Sequence, residues 1–295
     1  MAVAKLAGAG APEEAGALFV AATPIGNLDD VSTRLTAVLE RASGVAAEDT
    51  RRTRKLLHSL GIRIAMVSLH AHNERSRIPE LLERLLSGED LVLMSDAGTP
   101  GISDPGMRLV REARQSGIRV SPLPGPCAAV AALSVAGFPA DRFHFEGFLP
   151  ARRAARRARL RQLEAAPETL VFYEAVHRLT AALEDMQQVF GSERRAFLAR
   201  ELTKIHESAY GETLADLCRK AASGTIVPKG EFTLVVGGAG RSGGDEAALE
   251  SVLKALLGEL PTAQAARLGA EIAGVPRRVA YRRALKLHAR EQKPC

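Results

Sequence analysis

The chain has 295 residues, and 40 Lys plus Arg against 34 Asp plus Glu leave a formal net charge of +6. That length accommodates about two domains of ~100–200 residues, with a hydrophobic fraction of 46% and a charged fraction of 25%, as in an ordinary soluble protein. Disordered, collagen-like and disulfide-scaffold classes are thereby excluded.

With nine Phe, three Tyr and no Trp, the core must be built mostly of Leu, Val, Ile and Ala. Residues 1–16 lack an apolar signal core and are expected to form a disordered tail. No stretch reaches the ~18 apolar residues of a membrane span. The three cysteines, Cys127, Cys218 and Cys295, are odd in number and lack CxxC spacing, so a reducing cytoplasm is expected rather than a disulfide framework.

From Leu18 the pattern alternates strand and helix. Leu18-Phe19-Val20-Ala21 reads as a strand that ends at Thr23-Pro24-Ile25-Gly26-Asn27. Asp30 or Ser32 can cap a helix to about Ala42, with Leu35, Val38 and Leu39 on one face. Val45-Ala46-Ala47 is a second strand, and Leu91-Val92-Leu93-Met94 reads as one buried on both faces. Asp104-Pro105-Gly106 opens the next helix, Gly117 ends it, and Arg119-Val120 leads into Pro122–Pro126. Such alternation predicts a largely parallel sheet.

A second α/β unit follows: a helix from Cys127 to Val135, a strand from Thr169 to Tyr173, a helix from Leu179 to Val189, and strands at Arg195–Ala199 and Phe232–Gly237. The predicted organisation is an N-terminal α/β domain over 17–124, a C-terminal α/β domain over 125–238, a Gly-rich linker over 239–244 and a helical domain over 245–295. In the last, Ala265–Val275 followed by Val279 and Tyr281 has the small residues and Gly274-Val275 turn of a helix-turn-helix. It reads as an appended RNA-binding module or as a small bundle with a basic face.

Several polar or Gly-rich segments follow strands directly: Thr23–Leu28, Glu48–Thr53, Ser95–Gly101, Glu174 and Arg200–Lys204. In parallel α/β sheets such segments converge on one ligand cleft. The chain has no P-loop and no GxGxxG after an early strand, so the common nucleotide fingerprints do not apply. No metal site is expected, since His70 and His72 have no third ligand near them. Asp96 reads equally as a turn cap, Glu48 and Asp49 as partners of surface arginines, and Cys127 as a packing residue. Arginine clusters at Arg152–Arg161 and Arg277–Arg290 are either a polyanion footprint or solvated helix faces.

Taken in order, Thr23–Leu28, Ala47–Arg51, Leu69–Glu74, Ser95–Pro100, Pro122–Ala129, Glu146–Pro150, Phe172–Glu174, Ala199–Lys204 and Lys229–Glu231 closely resemble the motifs of the 16S rRNA cytidine 2′-O-ribose methyltransferases. These belong to the tetrapyrrole methylase-like superfamily of S-adenosylmethionine enzymes. The resemblance spans about residues 18–238 and, more loosely, the helical tail. It implies two α/β domains with the cofactor in the cleft between them, a homodimer, and 16S rRNA in the 30S subunit as partner. By the same resemblance, cofactor contacts fall on Pro24, Asp96, Ala97, Gly98, Cys127, Ala128, Tyr173, Leu202 and Phe232.

A ribose hydroxyl needs help to lose its proton. Candidates are Glu48, Asp49 and Glu231, with Asp29 and Asp104 also considered and Lys204 as electrostatic partner. Arg51, Arg52, Arg152, Arg153, Arg156 and Arg157 are candidate phosphate contacts. Two other readings are a tetrapyrrole C-methyltransferase and a DNA-binding regulator acting through the helical tail.

Overall fold

The computed structural model describes residues 14–239, 244–273, 275 and 277–291, without the side chains of 244–248 and 289–291. The expected tail up to residue 13, most of the expected linker (240–243), Gly274, the Arg290 side chain and Cys295 lie outside the described residues.

The elements of the first sheet are β1 (Ala17–Ala21), α1 (Thr33–Leu39), β2 (Gly44–Ala47), α2 (Thr50–Ser59), β3 (Met66–Ser68), α3 (Glu74–Leu86), β4 (Leu91–Met94), α4 (Met107–Gln115) and β5 (Arg119–Leu123). Its order is β3-β2-β4-β1-β5, and every pairing is parallel. Phe19 packs with Leu35, Leu39, Leu57 and Met94 on one face. Leu18 packs with Ile78, Leu81, Leu91 and Leu109 on the other. Burial on both faces explains why β1 and β4 are continuous apolar runs rather than alternating ones. Ser32 caps α1 by accepting from Leu35 N at 3.1 Å.

The second sheet follows with α5 (Ala128–Ala136), β6 (Phe143–Phe148), α6 (Arg153–Leu163), β7 (Thr169–Ala175), α7 (Leu179–Phe190), β8 (Arg195–Arg200), β9 (Ser208–Thr213), α8 (Leu214–Ala222) and β10 (Glu231–Val236). Its order is β6-β7-β10-β8-β9. Only β6 and β7 pair in parallel; β10 runs antiparallel to both β7 and β8, and β9 antiparallel to β8. The expectation of a largely parallel sheet therefore holds for the first sheet and is corrected for the second. Alternating strand and helix signals do not encode strand direction. β10 slots between two parallel strands head to tail, so its first residues, Glu231 and Phe232, sit opposite the last residues of β7 and β8.

These two sheets form one compact unit, through residue 164 and over 168–237. The helices α9 (Gly244–Leu257), α10 (Thr262–Ala273) and α11 (Arg277–Glu291) belong to a second unit. Its core holds Leu249, Leu253, Ala266, Ala270, Ala280, Ala284 and Leu287. The alanines let the helices approach closely: a Cβ on Gly269 would lie 2.7 Å from Leu253 Cδ2.

Candidate active site

Two hydrogen bonds tie the first loop to the fourth strand's loop. Thr23 N donates to Gly98 O at 2.9 Å and Gly98 N to Thr23 O at 3.0 Å. Gly98 sits at φ +79°, a region costly for any residue with a Cβ, so the Asp96-Ala97-Gly98 turn depends on glycine there. Thr99 Oγ1 donates to Pro126 O at 3.1 Å, anchoring the same turn to the entry of α5.

A cavity of about 470 Å³ opens at this junction, within the ~300–1,000 Å³ range of small-molecule sites. Its wall combines the carboxyl ends of the first sheet with the adjoining rim of the second. From the first come Ile25, Glu48, Arg52, Asp96, Ala97, Gly98 and Asp104; from the second, Cys127, Ala128, Tyr173, Glu174, Glu231 and Phe232. Tyr173 is held edge-on by Phe145 (5.0 Å between ring centroids) and Phe148 (5.7 Å). Its hydroxyl accepts from Ala129 N at 3.1 Å, fixing the start of α5. Burial, and then the neighbouring Cys127, raise the Tyr173 pKa, so it stays neutral.

The floor is acidic. Asp96 N donates to Glu48 Oε2 at 3.2 Å, and Asp49 N donates to Asp96 Oδ1 at 3.0 Å. Arg52 Nη1 lies 3.4 Å from Asp96 Oδ2. Burial pushes Asp104 up to about 6, helped by the nearby Glu48 carboxylate and opposed by a hydrogen bond from Ser95. Glu48 is raised too, chiefly by burial, against the Asp96 N–H that favours its charge. Asp104 is thereby placed to accept a proton near neutrality.

Not every expected residue reaches the wall. Pro24 and Leu202 do not line the cavity; Leu202 packs beside Cys127 and Tyr173 in the core under α5. Asp49 caps α2, its carboxylate accepting from Arg51 N at 2.8 Å and facing the Arg51 guanidinium at 2.7 Å. Those contacts hold it well below the usual carboxylate range, which makes it a poor base. Asp29 stands in an exposed turn, its N–H bonded to Asn27 Oδ1 at 3.0 Å. Lys204 is clamped by Glu201 Oε1 at 2.8 Å and Glu231 Oε2 at 2.9 Å, away from the wall. Burial works against its charge, but these carboxylates outweigh it and raise its pKa.

Within the arginine run on α6, Arg156 is the member corrected. Arg153 Nε (3.1 Å), Arg156 Nη2 (2.7 Å) and Arg157 Nε (3.2 Å) all converge on Asp185 of α7, whose side chain is 0% exposed. The Arg156 side chain is only 4% exposed, so it cannot reach a phosphate. A buried carboxylate demands cations, and α6 supplies them to the interior. Arg159 is likewise committed to Glu146 at 2.7 Å. Arg152 remains exposed, and Arg51 and Arg52 stand exposed at the start of α2.

The histidine segment is structural. Asn73 Oδ1 accepts from His70 N at 2.8 Å, and its amide donates to Ser68 O at 3.1 Å. Buried Glu74 accepts from Gly106 N at 3.2 Å and so positions the loop that carries Asp104. Among the described residues no three His, Cys, Asp or Glu side chains gather to hold a metal. Sequence reasoning missed Ser103, Phe148, Gly230 and Thr233 on the wall. Phe148 and Gly230 carried a signal, lying in the motif segments Glu146–Pro150 and Lys229–Glu231.

The tetrapyrrole (corrin/porphyrin) methylase model matches residues 17–218, and the RsmI C-terminal HTH domain model matches 243–288. The ribosomal RNA small subunit methyltransferase I of Pseudomonas aeruginosa is 52% identical over 275 residues, 92% of this chain and 98% of that protein. Its counterpart in Escherichia coli O157:H7 is 47% identical over 272 residues, covering 92% and 95%. Among solved structures, the methyltransferase CobJ aligns with TM-score 0.57 at 22% identity, over 76% of this chain and 95% of that one. Uroporphyrin-III C-methyl transferase from Thermus thermophilus, complexed with S-adenyl homocysteine, aligns with TM-score 0.53 at 17% identity, over 77% and 99%. At these identities the structural matches establish the fold alone.

Proposed function

The chain belongs to the tetrapyrrole methylase family, whose members are S-adenosylmethionine-dependent methyltransferases, and to its small-subunit rRNA methyltransferase I branch; from that premise we propose that it methylates the 2′-oxygen of a cytidine ribose in 16S rRNA of the 30S subunit. The observation that carries the reading is the cavity itself, where the Asp96-Ala97-Gly98 turn faces Cys127, Ala128, Tyr173 and Phe232. Its carboxylates suit a ligand with cationic centres, and Ile25, Phe148 and Tyr173 suit a flat apolar one. S-adenosylmethionine fits that donor set and supplies an already activated methyl group on a sulfonium.

In this reading, Asp96, Ala97, Gly98, Cys127, Ala128, Tyr173 and Phe232 hold the cofactor; Pro24 and Leu202 support the walls. The protein's main task is alignment of the 2′-oxygen with the methyl carbon. The proton of the 2′-hydroxyl passes to Asp104 or Glu48, the two carboxylates whose surroundings raise their affinity for it. Glu231 shapes the rim, Lys204 locks it, and Asp49 orients α2. Arg51, Arg52, Arg152 and Arg153 are the exposed members of the expected phosphate contacts, Arg153 while also paired with Asp185. The reading includes a cytoplasmic site of action and a homodimer. Among the described residues no helix is long and apolar enough to cross a membrane.

The test is transfer of labelled methyl from S-adenosylmethionine to 30S subunits lacking the modification, followed by nucleoside mass spectrometry. A 2′-O-methylated cytidine is expected. Transfer only to a tetrapyrrole, or none with duplex DNA bound instead, would overturn the reading.

A further inference from the structure

We propose that the outward face of α11 is an RNA docking surface, anchored on phosphates by Arg278, Arg282 and Lys286. The proposal rests on the rRNA reading above for its choice of polyanion.

At ~100° per residue, Ala280, Ala284 and Leu287 form one side of the helix, and all three are buried in the core of the helical unit. Arg278, Arg282, Leu285 and Lys286 fall on the opposite side and are exposed. The three cations have no ion-pair partner among the described residues. Arg283, turned towards the core side, is the exception on this helix: it pairs with Glu250, which Lys254 also reaches at 3.2 Å. The second basic cluster thus differs in kind from the first. On α6 Arg153, Arg156, Arg157 and Arg159 neutralise Asp185 and Glu146. On α11 Arg278, Arg282 and Lys286 neutralise nothing within the described residues.

The apolar side chains on this face and its flank fit the same occupant. Tyr281 is 45% exposed and Leu285 47% exposed. Both lie within a turn of the cations, where a ring or aliphatic chain can pack on a sugar or an unstacked base while the cations meet the backbone. An acidic protein would satisfy the charges equally well, but the family reaction already brings an RNA polyanion to this chain.

The test uses the full chain and the triple variant R278A/R282A/K286A, with R278K/R282K as the charge-conserving control. Binding to naked 16S rRNA and to 30S subunits is measured across a salt series. Three lost phosphate contacts should flatten the log Kd against log salt slope by about 2–3 and weaken binding on the order of tenfold at moderate salt. The lysine control should keep the slope. An unchanged slope and affinity in the triple variant would overturn the proposal. Weakened 30S binding with unchanged naked-rRNA binding would also overturn it, assigning the face to a protein. If the wild type binds rRNA but transfers no methyl to it, the rRNA-methylation reading fails, and the triple variant still decides the docking surface.

Discussion

Replacing Asp185 by Asn tests the claim that the α6 arginines serve the interior. Asp185 is fully buried, accepts from Arg153 and Arg156, and has the Arg157 guanidinium beside it at 3.2 Å. Arg156 also donates to Ala151 O at 3.2 Å and Ala181 O at 3.4 Å, so its guanidinium cannot leave without breaking backbone contacts. The Asn variant keeps the shape but removes the carboxylate these three groups share, and its amide turns a donor towards donors. Breaking a buried pair by removing one partner costs about 3–5 kcal/mol. At ~2–4 °C per kcal/mol for a unit of roughly this size, the melting temperature should fall by roughly 10 °C. R156M should cost less, because Arg153 and Arg157 still neutralise Asp185. The pair R156M/D185L should recover part of the loss, since apolar replacement of a buried ion pair is often neutral or better. Calorimetry and urea unfolding give the stabilities; rRNA binding well below the melting temperature gives the functional side. A D185N variant melting within about 2 °C of wild type, or an R156M variant that stays folded yet loses rRNA affinity, would refute the reasoning.

Asp104, raised to about 6, must be charged to accept a proton, so kcat/KM should fall about tenfold per pH unit below that value and level off above it. D104N should be slow and lack that limb, whereas E48Q removes a neighbouring negative charge and should move the limb to lower pH; a profile flat from pH 5 to 8 in the wild type would exclude Asp104 as the acceptor. D96A removes an acceptor of the cavity floor and should weaken S-adenosylhomocysteine binding about tenfold or more by calorimetry, from the loss of a charged hydrogen bond of ~1.5–3 kcal/mol. Unchanged affinity would sink that assignment. G230A places a side chain at φ +92° with its Cβ 2.4 Å from Glu201 Cδ. It should lower the melting temperature by several degrees and detach Glu201 from Lys204 and from Glu231 N, visible as a lost Lys204 chemical-shift perturbation; a variant with both unchanged would show that this clamp is slack.

The apolar runs Leu18–Ala21 and Leu91–Met94, the Ser32 cap and the alanine-rich helical tail were legible in the sequence, because each is written in neighbouring residues. The loops after β1, β2 and β4 were legible as site loops for the same reason: parallel strands deliver their carboxyl ends to one rim. Local pattern could not show the direction of β10, which alone brings Glu231 and Phe232 to that rim. Nor could it separate two arginine clusters of similar composition. One faces a carboxylate contributed by α7, and the other faces outward from its own bundle. The same holds for the carboxylates: Glu48, Asp49, Asp96 and Asp104 look alike as letters. Burial raises Glu48 and Asp104, an adjacent guanidinium holds Asp49 low, and Asp96 becomes the hinge of the floor. Charge state and reach depend on what lies across space, and only the tertiary structure decides which groups those are.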